Sequence, residues 1–376
     1  MSETGNRSRI ELNENKKLFI DTLVKSGKSL QQPLLACVFG LVVGALVCLM
    51  YGTNPLRIYK EMFQKSFFSQ YYFLTTLTRA TPIILCSMAT GAAWRAGHIN
   101  LGVEGQMVIG SFAAALVAIY VPGPPVLVTI LAILAGMIVG ALYALIPALI
   151  NLKLGVSLVI STLMLNYVSS YVVSYLIAFP FRDTSTLGSQ ALQTELIPKA
   201  MQNWILVPKT TFNFAFVIAC VVTVVFYLIS KYTVFGYETR MSGLNRSFAN
   251  YGGVKGAVIV ILTMAISGMI ASMAGLNEVF GYKFRYIDGM LTSTRYAWTG
   301  LMSALIAGLN PIGMFIVSIF LAGLQIGGQA VQRTVGIPLE MATIIQCCMT
   351  LFVSVKIGLN FKTQKQAKEP EKEVTK

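Results

Sequence analysis

Asn100, Glu104 and Gln106 lie close together in the stretch Gly97-His98-Ile99-Asn100-Leu101-Gly102-Val103-Glu104-Gly105-Gln106-Met107, which also holds the chain's only histidine. Each amide can donate and accept, and the carboxylate accepts. Two kinds of chemistry suit such a set. The side chains can satisfy backbone groups freed where a helix breaks, or they can contact a polar solute. Glu104 is read first as support for a broken helix and second as a solute contact. His98, a lone histidine, is read as structural and kept out of any proton relay. The six cysteines form no C-x-x-C, and one histidine cannot complete a metal cluster, so they read as small buried hydrophobes. The chain is expected to bind no cofactor or metal of its own.

The elements that must hold these groups are apolar. The chain is 55% hydrophobic and 12% charged, against about 25% charged in soluble domains. It reads as an all-α polytopic membrane protein. The net charge of +14 falls in tails and loops between apolar spans. Positive-inside orientation and lipid headgroups account for it, and no basic patch is interleaved with aromatics as nucleic-acid binding would need.

A tail over 1–32, with a surface helix near 18–24, precedes a first span at 33–51. A second runs over 71–94. Residues 105–152 carry no charge but are too long for one crossing at about 1.5 Å per residue. Val121-Pro122-Gly123-Pro124-Pro125 divides them. A fifth span at 155–179 leads to a polar loop over 180–209. The second half places spans at 211–230 and 254–280, with a polar loop over 231–253 between them. A short piece follows at 296–309, then a turn at Asn310-Pro311 and a span to Gln332. The last span is 337–355, before a tail over 359–376. This is about ten crossings, in a permease-like domain over 33–358 whose halves are 33–180 and 211–358. Lys and Arg distribution places both tails inside and 180–209 outside.

Halves with an odd number of spans are inverted relative to each other. Each half holds one unusual segment. GHINLGVEGQ leads into MVIGSFAAALVAIY and PGPP, and YIDGMLTSTR leads into YAWTGLMSALIAGL and NPIG. A polar approach to a short small-residue helix, repeated in inverted halves, points to a transport pathway near mid-bilayer. Polar groups within spans, namely Asn166, Tyr167, Asn277, Gln325 and Gln329, are the candidate solute contacts beside Asn100, Glu104 and Gln106.

Asn100-Leu101-Gly102-Val103-Glu104-Gly105-Gln106-Met107 with Gly110 resembles the N-[IL]-G-x-E-G-Q-M-x-x-G signature of permease subunits in bacterial ABC importers for nucleosides and simple sugars. The stretch from Gly300 to Gly313, GLMSALIAGLNPIG, is similar to a second motif of that family. Asp288-Gly289 and Thr292 to Tyr296 depart from its usual glycine-rich approach. The resemblance, from Pro33 to Gly358, implies two inverted five-helix halves with short broken helices, in a bacterial cytoplasmic membrane. It also implies a separate ABC ATPase subunit, a second permease subunit (the same chain or another), and an extracellular or lipid-anchored solute-binding protein. The loop over 180–209, with Arg182, Asp183, Glu195 and Trp204, is a candidate surface for that last partner.

No G-x-x-x-x-G-K-[ST] loop occurs, so ATP is expected on the partner ATPase. The glycines of Leu324-Gln325-Ile326-Gly327-Gly328-Gln329 read as packing glycines. Between the sixth and seventh spans, Asn245 can cap a short helix from Arg246 to Tyr251 that Gly252 ends. Phe248 and Tyr251 would share one face of it. The resemblance implies a coupling helix here, to which Arg240 also belongs. An ion-coupled secondary transporter is the alternative. It would want several buried carboxylates, whereas only Arg79, Glu104, Glu278 and Glu340 come near span interiors or ends.

Overall fold

The computed structural model of the chain describes residues 38–46, 48–50, 52–184, 191–202, 205–208, 210–335, 340, 343–344 and 347–348. Two compact units are present. One comprises Met1–Pro55 with Glu340–Lys376, and within it Val38–Met50 is an apolar helix followed by a turn in which Thr53 donates to the Cys48 carbonyl at 2.8 Å. The other is Leu56–Leu339 and carries every site discussed below. The surface helix near 18–24, Trp204 and most of the last span lie outside the described residues.

The larger unit is helical, and among the described residues the only β-pairing is two isolated bridges. Its elements are α1 (Pro55–Phe63, continued by a π turn, Gln64–Phe68), α2 (Gln70–Trp94), α3 (Val103–Tyr120), α4 (Pro125–Leu154), α5 (Leu158–Ala178), α6 (Ala215–Tyr232), α7 (Val234–Leu244), α8 (Arg246–Tyr251), α9 (Gly256–Glu278, with a π turn, Val279–Lys283), α10 (Met290–Ser293), α11 (Tyr296–Ile306) and α12 (Pro311–Val335). Six of these are long and apolar enough to cross a membrane: α3, α4, α5, α6, α9 and α12. α11, eleven residues long, measures only about 16 Å, roughly half a bilayer core of about 30 Å.

α2 lies at the centre, packed against α9, α12, α11 and α6, and all its residues from Ala80 to Ala93 are buried. α3, α4 and α9 form a second close-packed group. In α4 the buried positions Val128, Ala132, Gly136, Gly140 and Ala144 recur every fourth residue, a stripe of small residues facing the protein. Leu127, Ile130, Leu134, Ile138 and Leu142 are exposed on its remaining face, as a helix wall in lipid requires. The approach of α4 to α9 is tight. A Cβ added at Gly268 would lie 2.3 Å from the Gly140 carbonyl oxygen.

Proline and glycine end the helices where the sequence places them. Pro125 opens α4 and Gly155, with φ +69°, closes it. The stretch over 231–253 departs from the sequence reading. It forms a helical hairpin, α7 and α8, with a turn only at Asn245. Thr233 accepts from the Gly236 N–H at 3.1 Å and caps α7.

Candidate translocation site

α2 ends in a glycine turn. The His98 N–H donates to the Ala93 carbonyl at 3.1 Å, with Gly97 at φ +82°, an arrangement a residue with a Cβ adopts at a cost. From Gly97 to Gly102 the backbone is not α-helical, and α3 begins at Val103. Side chains satisfy the freed groups. Asn100, fully buried, accepts from the Gly102 N–H at 2.8 Å and donates to Gln106 at 3.1 Å and to Ser267 on α9 at 2.9 Å. Gln106 returns a bond to the Asn100 carbonyl oxygen at 3.3 Å. Asn166 on α5 spans the break. It donates to the Leu101 carbonyl and accepts from the Gly105 N–H, each at 2.8 Å. The indole of Trp94 donates to the Asn100 backbone carbonyl at 3.2 Å, and Ser267 donates onward to Ala89 at 2.7 Å. Each of these groups would cost about 1–3 kcal/mol if left unpaired.

The first turns of α3 and α11 converge here. Glu104 and Trp298, whose side chains interact, line a small cavity that Thr90, Asn100, Leu101, Val103, Ala297 and Leu301 complete. Its volume is about 10 Å³, room for a single water and for nothing larger. Both helices start at this point, so the positive ends of two helix dipoles, those of α3 and the short α11, face one small and mainly apolar space. Gly300 allows α11 to close in, since a Cβ there would meet that of Cys86 at 2.5 Å.

The other candidates are distributed. Gln325 on α12 donates to Thr299 on α11 at 3.2 Å, and Gln329 lies half-buried one turn further along α12. Asn277 is buried near the C-terminal end of α9 and donates to the Thr78 carbonyl at 3.4 Å, while its own side-chain carbonyl oxygen has no partner. Tyr167 points outward. With Tyr171 and Tyr175 it forms an exposed ladder on α5, the three being 58, 73 and 62% exposed.

A second polar cluster escaped the linear reading. Arg79 on α2 pairs with Glu278 on α9 at 3.3 Å, and the Tyr296 hydroxyl donates to the same carboxylate oxygen at 2.6 Å. Arg79 also donates to Tyr296, and its guanidinium lies 5.1 Å from the centre of the Tyr282 ring. The two charges were visible as opposite signs within apolar segments, but nothing along the chain pairs positions so far apart.

Outside the spans, the segment from Leu192 to Ile197 is bonded to the stretch that follows α9. The Thr194 and Ile197 N–H groups donate to the Tyr286 and Phe284 carbonyls at 2.9 and 2.8 Å. Asp183 pairs with Arg285 at 3.6 Å and is turned into the protein, whereas Arg182 and Glu195 remain exposed. Burial, with the Asp288 carboxylate adding to it, raises the Tyr286 hydroxyl above its ordinary range.

At the opposite end, α8 forms over the expected residues. The Asn245 side chain accepts from the Phe248 N–H at 3.0 Å and Gly252 ends the helix. Phe248 and Tyr251 are 60 and 94% exposed, and Ala249 is the buried residue of the turn. Arg240 and Arg246 are exposed on the same hairpin. Burial lowers the Arg95 guanidinium and the His98 imidazole, the latter to about 4, and Arg240 and Arg246 respectively push the same way.

Comparison with known proteins agrees with this architecture. A family profile described as the permease component of branched-chain amino acid transport systems matches residues 72–354. The chain is 29% identical over 330 residues to the nucleoside ABC transporter permease protein NupB of Lactococcus lactis, covering 86% of this chain and 90% of that one. It is 28% identical over 340 residues to the guanosine ABC transporter permease protein NupP of Bacillus subtilis, covering 90 and 97%. It is 27% identical over 335 residues to the glucose ABC transporter permease protein TsgB13 of Haloferax volcanii, covering 85 and 86%. This chain is a multi-pass membrane protein of the family of branched-chain amino acid transport system permease components.

Proposed function

We propose that this chain is the transmembrane permease subunit of an ATP-driven importer that carries a nucleoside or simple sugar inward. The observation that carries the reading is the meeting of the first turns of α3 and α11 at one small cavity, whose mainly apolar lining includes Glu104, Asn100 and Thr90 as its polar side chains beside Trp298. Broken helices whose N-termini meet within the membrane form solute sites in transporters, and here the half-length α11 meets the start of the full-length α3. The relatives' own substrates, nucleosides, guanosine and glucose, favour a hydroxyl-rich solute with a stackable ring among the choices. Asn100, Gln106 and Asn166 brace the break, and Glu104, which lines the cavity, supports it and contacts the solute when the cavity widens. Gln325, Gln329 and Asn277 lie away from this cavity and are assigned to other parts of the translocation path.

The chain makes about ten crossings, in inverted halves over 33–180 and 211–358, with the tails over 1–32 and 359–376 cytoplasmic. The second permease subunit, identical or different, covers the tyrosine ladder of Tyr167, Tyr171 and Tyr175. Tyrosine hydroxyls near mid-span are poorly served by lipid. An extracellular or lipid-anchored binding protein delivers the solute to the outer loop, where Arg182 and Glu195 are exposed. ATP is hydrolysed on a separate ABC ATPase that grips α8. Phe248 and Tyr251 are the anchors, with Arg240, Arg246, Asn245 and Gly252 shaping the hairpin.

The test is replacement of Phe248 and Tyr251 together by alanine. Membrane abundance should be unchanged, while co-purification of the ATPase falls about tenfold. Unaltered co-purification and uptake would remove the coupling assignment.

A further inference from the structure

The coupling hairpin and the broken helix touch, and they do so backbone to backbone. A Cβ added at Gly243, on the last turn of α7, would lie 2.2 Å from the Arg95 carbonyl oxygen and 3.2 Å from the Gly97 nitrogen. Seen from the other side, a Cβ at Gly97 would lie 3.3 Å from the Gly243 Cα. Among the described residues no hydrogen bond crosses this contact. Nδ1 of His98 and Nη1 of Arg95 are buried beside it without a partner. The hairpin therefore meets the segment after α2 by close backbone contact without hydrogen bonds, with Arg240 and Arg246 acting on Arg95 and His98 only through charge, close enough to transmit a displacement and free of bonds that would have to break for it to slide.

Beyond the contact the path is stiff. Gly97 is separated by two residues from Asn100, whose side chain is bonded to Gly102, Gln106 and Ser267. Asn166 bridges Leu101 to Gly105. These bonds tie the non-helical segment to the first turn of α3, so that Glu104, which lines the closed cavity with Trp298, follows any shift of Gly97. We propose that the Gly97–Gly243 contact is the joint through which the cytoplasmic hairpin moves this segment, and that Gly243 is a positioning residue for the gate at Glu104. The proposal rests on the reading of α7 and α8 as the ATPase-coupling hairpin, and it adds where on the permease the motion goes next.

The test uses the native complex, purified through a tag on this chain and followed by hydrogen exchange with and without ATP and vanadate. In the unmodified complex nucleotide should change exchange both in the hairpin over 234–251 and in the segment over 95–107. In a Gly243→Ala complex the hairpin should still respond and the ATPase should still co-purify, while the response over 95–107 falls about threefold or more. A Gly256→Ala control, where the added Cβ meets Asn250 no closer than 3.5 Å, should keep both responses. A hairpin that does not respond in the unmodified complex sinks the coupling reading. A responding hairpin with a silent 95–107 segment, or a 95–107 response that survives Gly243→Ala, sinks the joint alone. A 95–107 segment that stays silent in the unmodified complex sinks the joint even where the variant does not accumulate in the membrane.

Discussion

At the residue scale the site is an exercise in satisfying polar atoms where no water is supplied. Asn100 makes its bonds to Gly102, Gln106 and Ser267 because each would otherwise be an unpaired group in an apolar interior. Glu104 differs in facing a cavity. If hydrogen bonding rather than charge is its contribution, Glu104→Gln should leave solute uptake within about threefold of the parent. Glu104→Leu, which removes the acceptor that Glu104 offers Trp298, should lower it about tenfold or more. Uptake normalised to membrane abundance separates the two. His98 supports a second expectation. Its folded value is lowered to about 4, by burial first and by the Arg246 guanidinium second. Between about pH 6.5 and about 4 the unfolded chain binds a proton that the folded chain does not. Stability is thus fully present above about pH 6.5 and is lost as pH falls toward 4. The thermal midpoint should drop over that window, and His98→Gln should flatten the drop.

At the element scale, glycine and proline decided most boundaries, and these were legible. Pro125 and Gly155 bound α4, and Asn245 and Gly252 bound α8, because their backbone requirements act locally. α7 was not legible. Its sequence, VFGYETRMSGL, carries two glycines and mixed charge, the composition of a loop. It is helical because Thr233 caps it and because Gly236 and Gly243 let it lie against the end of α6 and against Arg95. Glycines also set the α4–α9 distance. Gly268→Ala should force those helices apart, since the new Cβ would sit 2.3 Å from the Gly140 carbonyl oxygen. A loss of about 1–3 kcal/mol in detergent unfolding is expected, against little change for Gly256→Ala.

At the scale of the whole molecule, the question is where the work comes from. The buried carboxylate Glu278 is paired with Arg79 and bonded to Tyr296, which leaves it poorly placed to bind and release a coupling ion. Uptake in intact cells should therefore stop when ATP is depleted and persist when ion gradients are collapsed with ATP held constant. Persistence without ATP would favour an ion-coupled transporter instead. The same mechanism requires Phe248 to be labelled from the cytoplasmic side, after replacement by cysteine, and Glu195 from the outer side.

Composition alone determined that this chain belongs in a membrane, because 12% charged residues cannot cover a water-facing surface of this size. Local rules determined where its helices break and where a short capped helix stands between spans. The tertiary structure decided which of those features meet. Asn100 found Ser267, Glu104 found Trp298, Arg79 found Glu278, and Gly97 came to rest on Gly243. Backbone conformation is a property of neighbours along the chain, whereas these contacts are set by how helices pack, and packing depends on the shapes of all their faces at once.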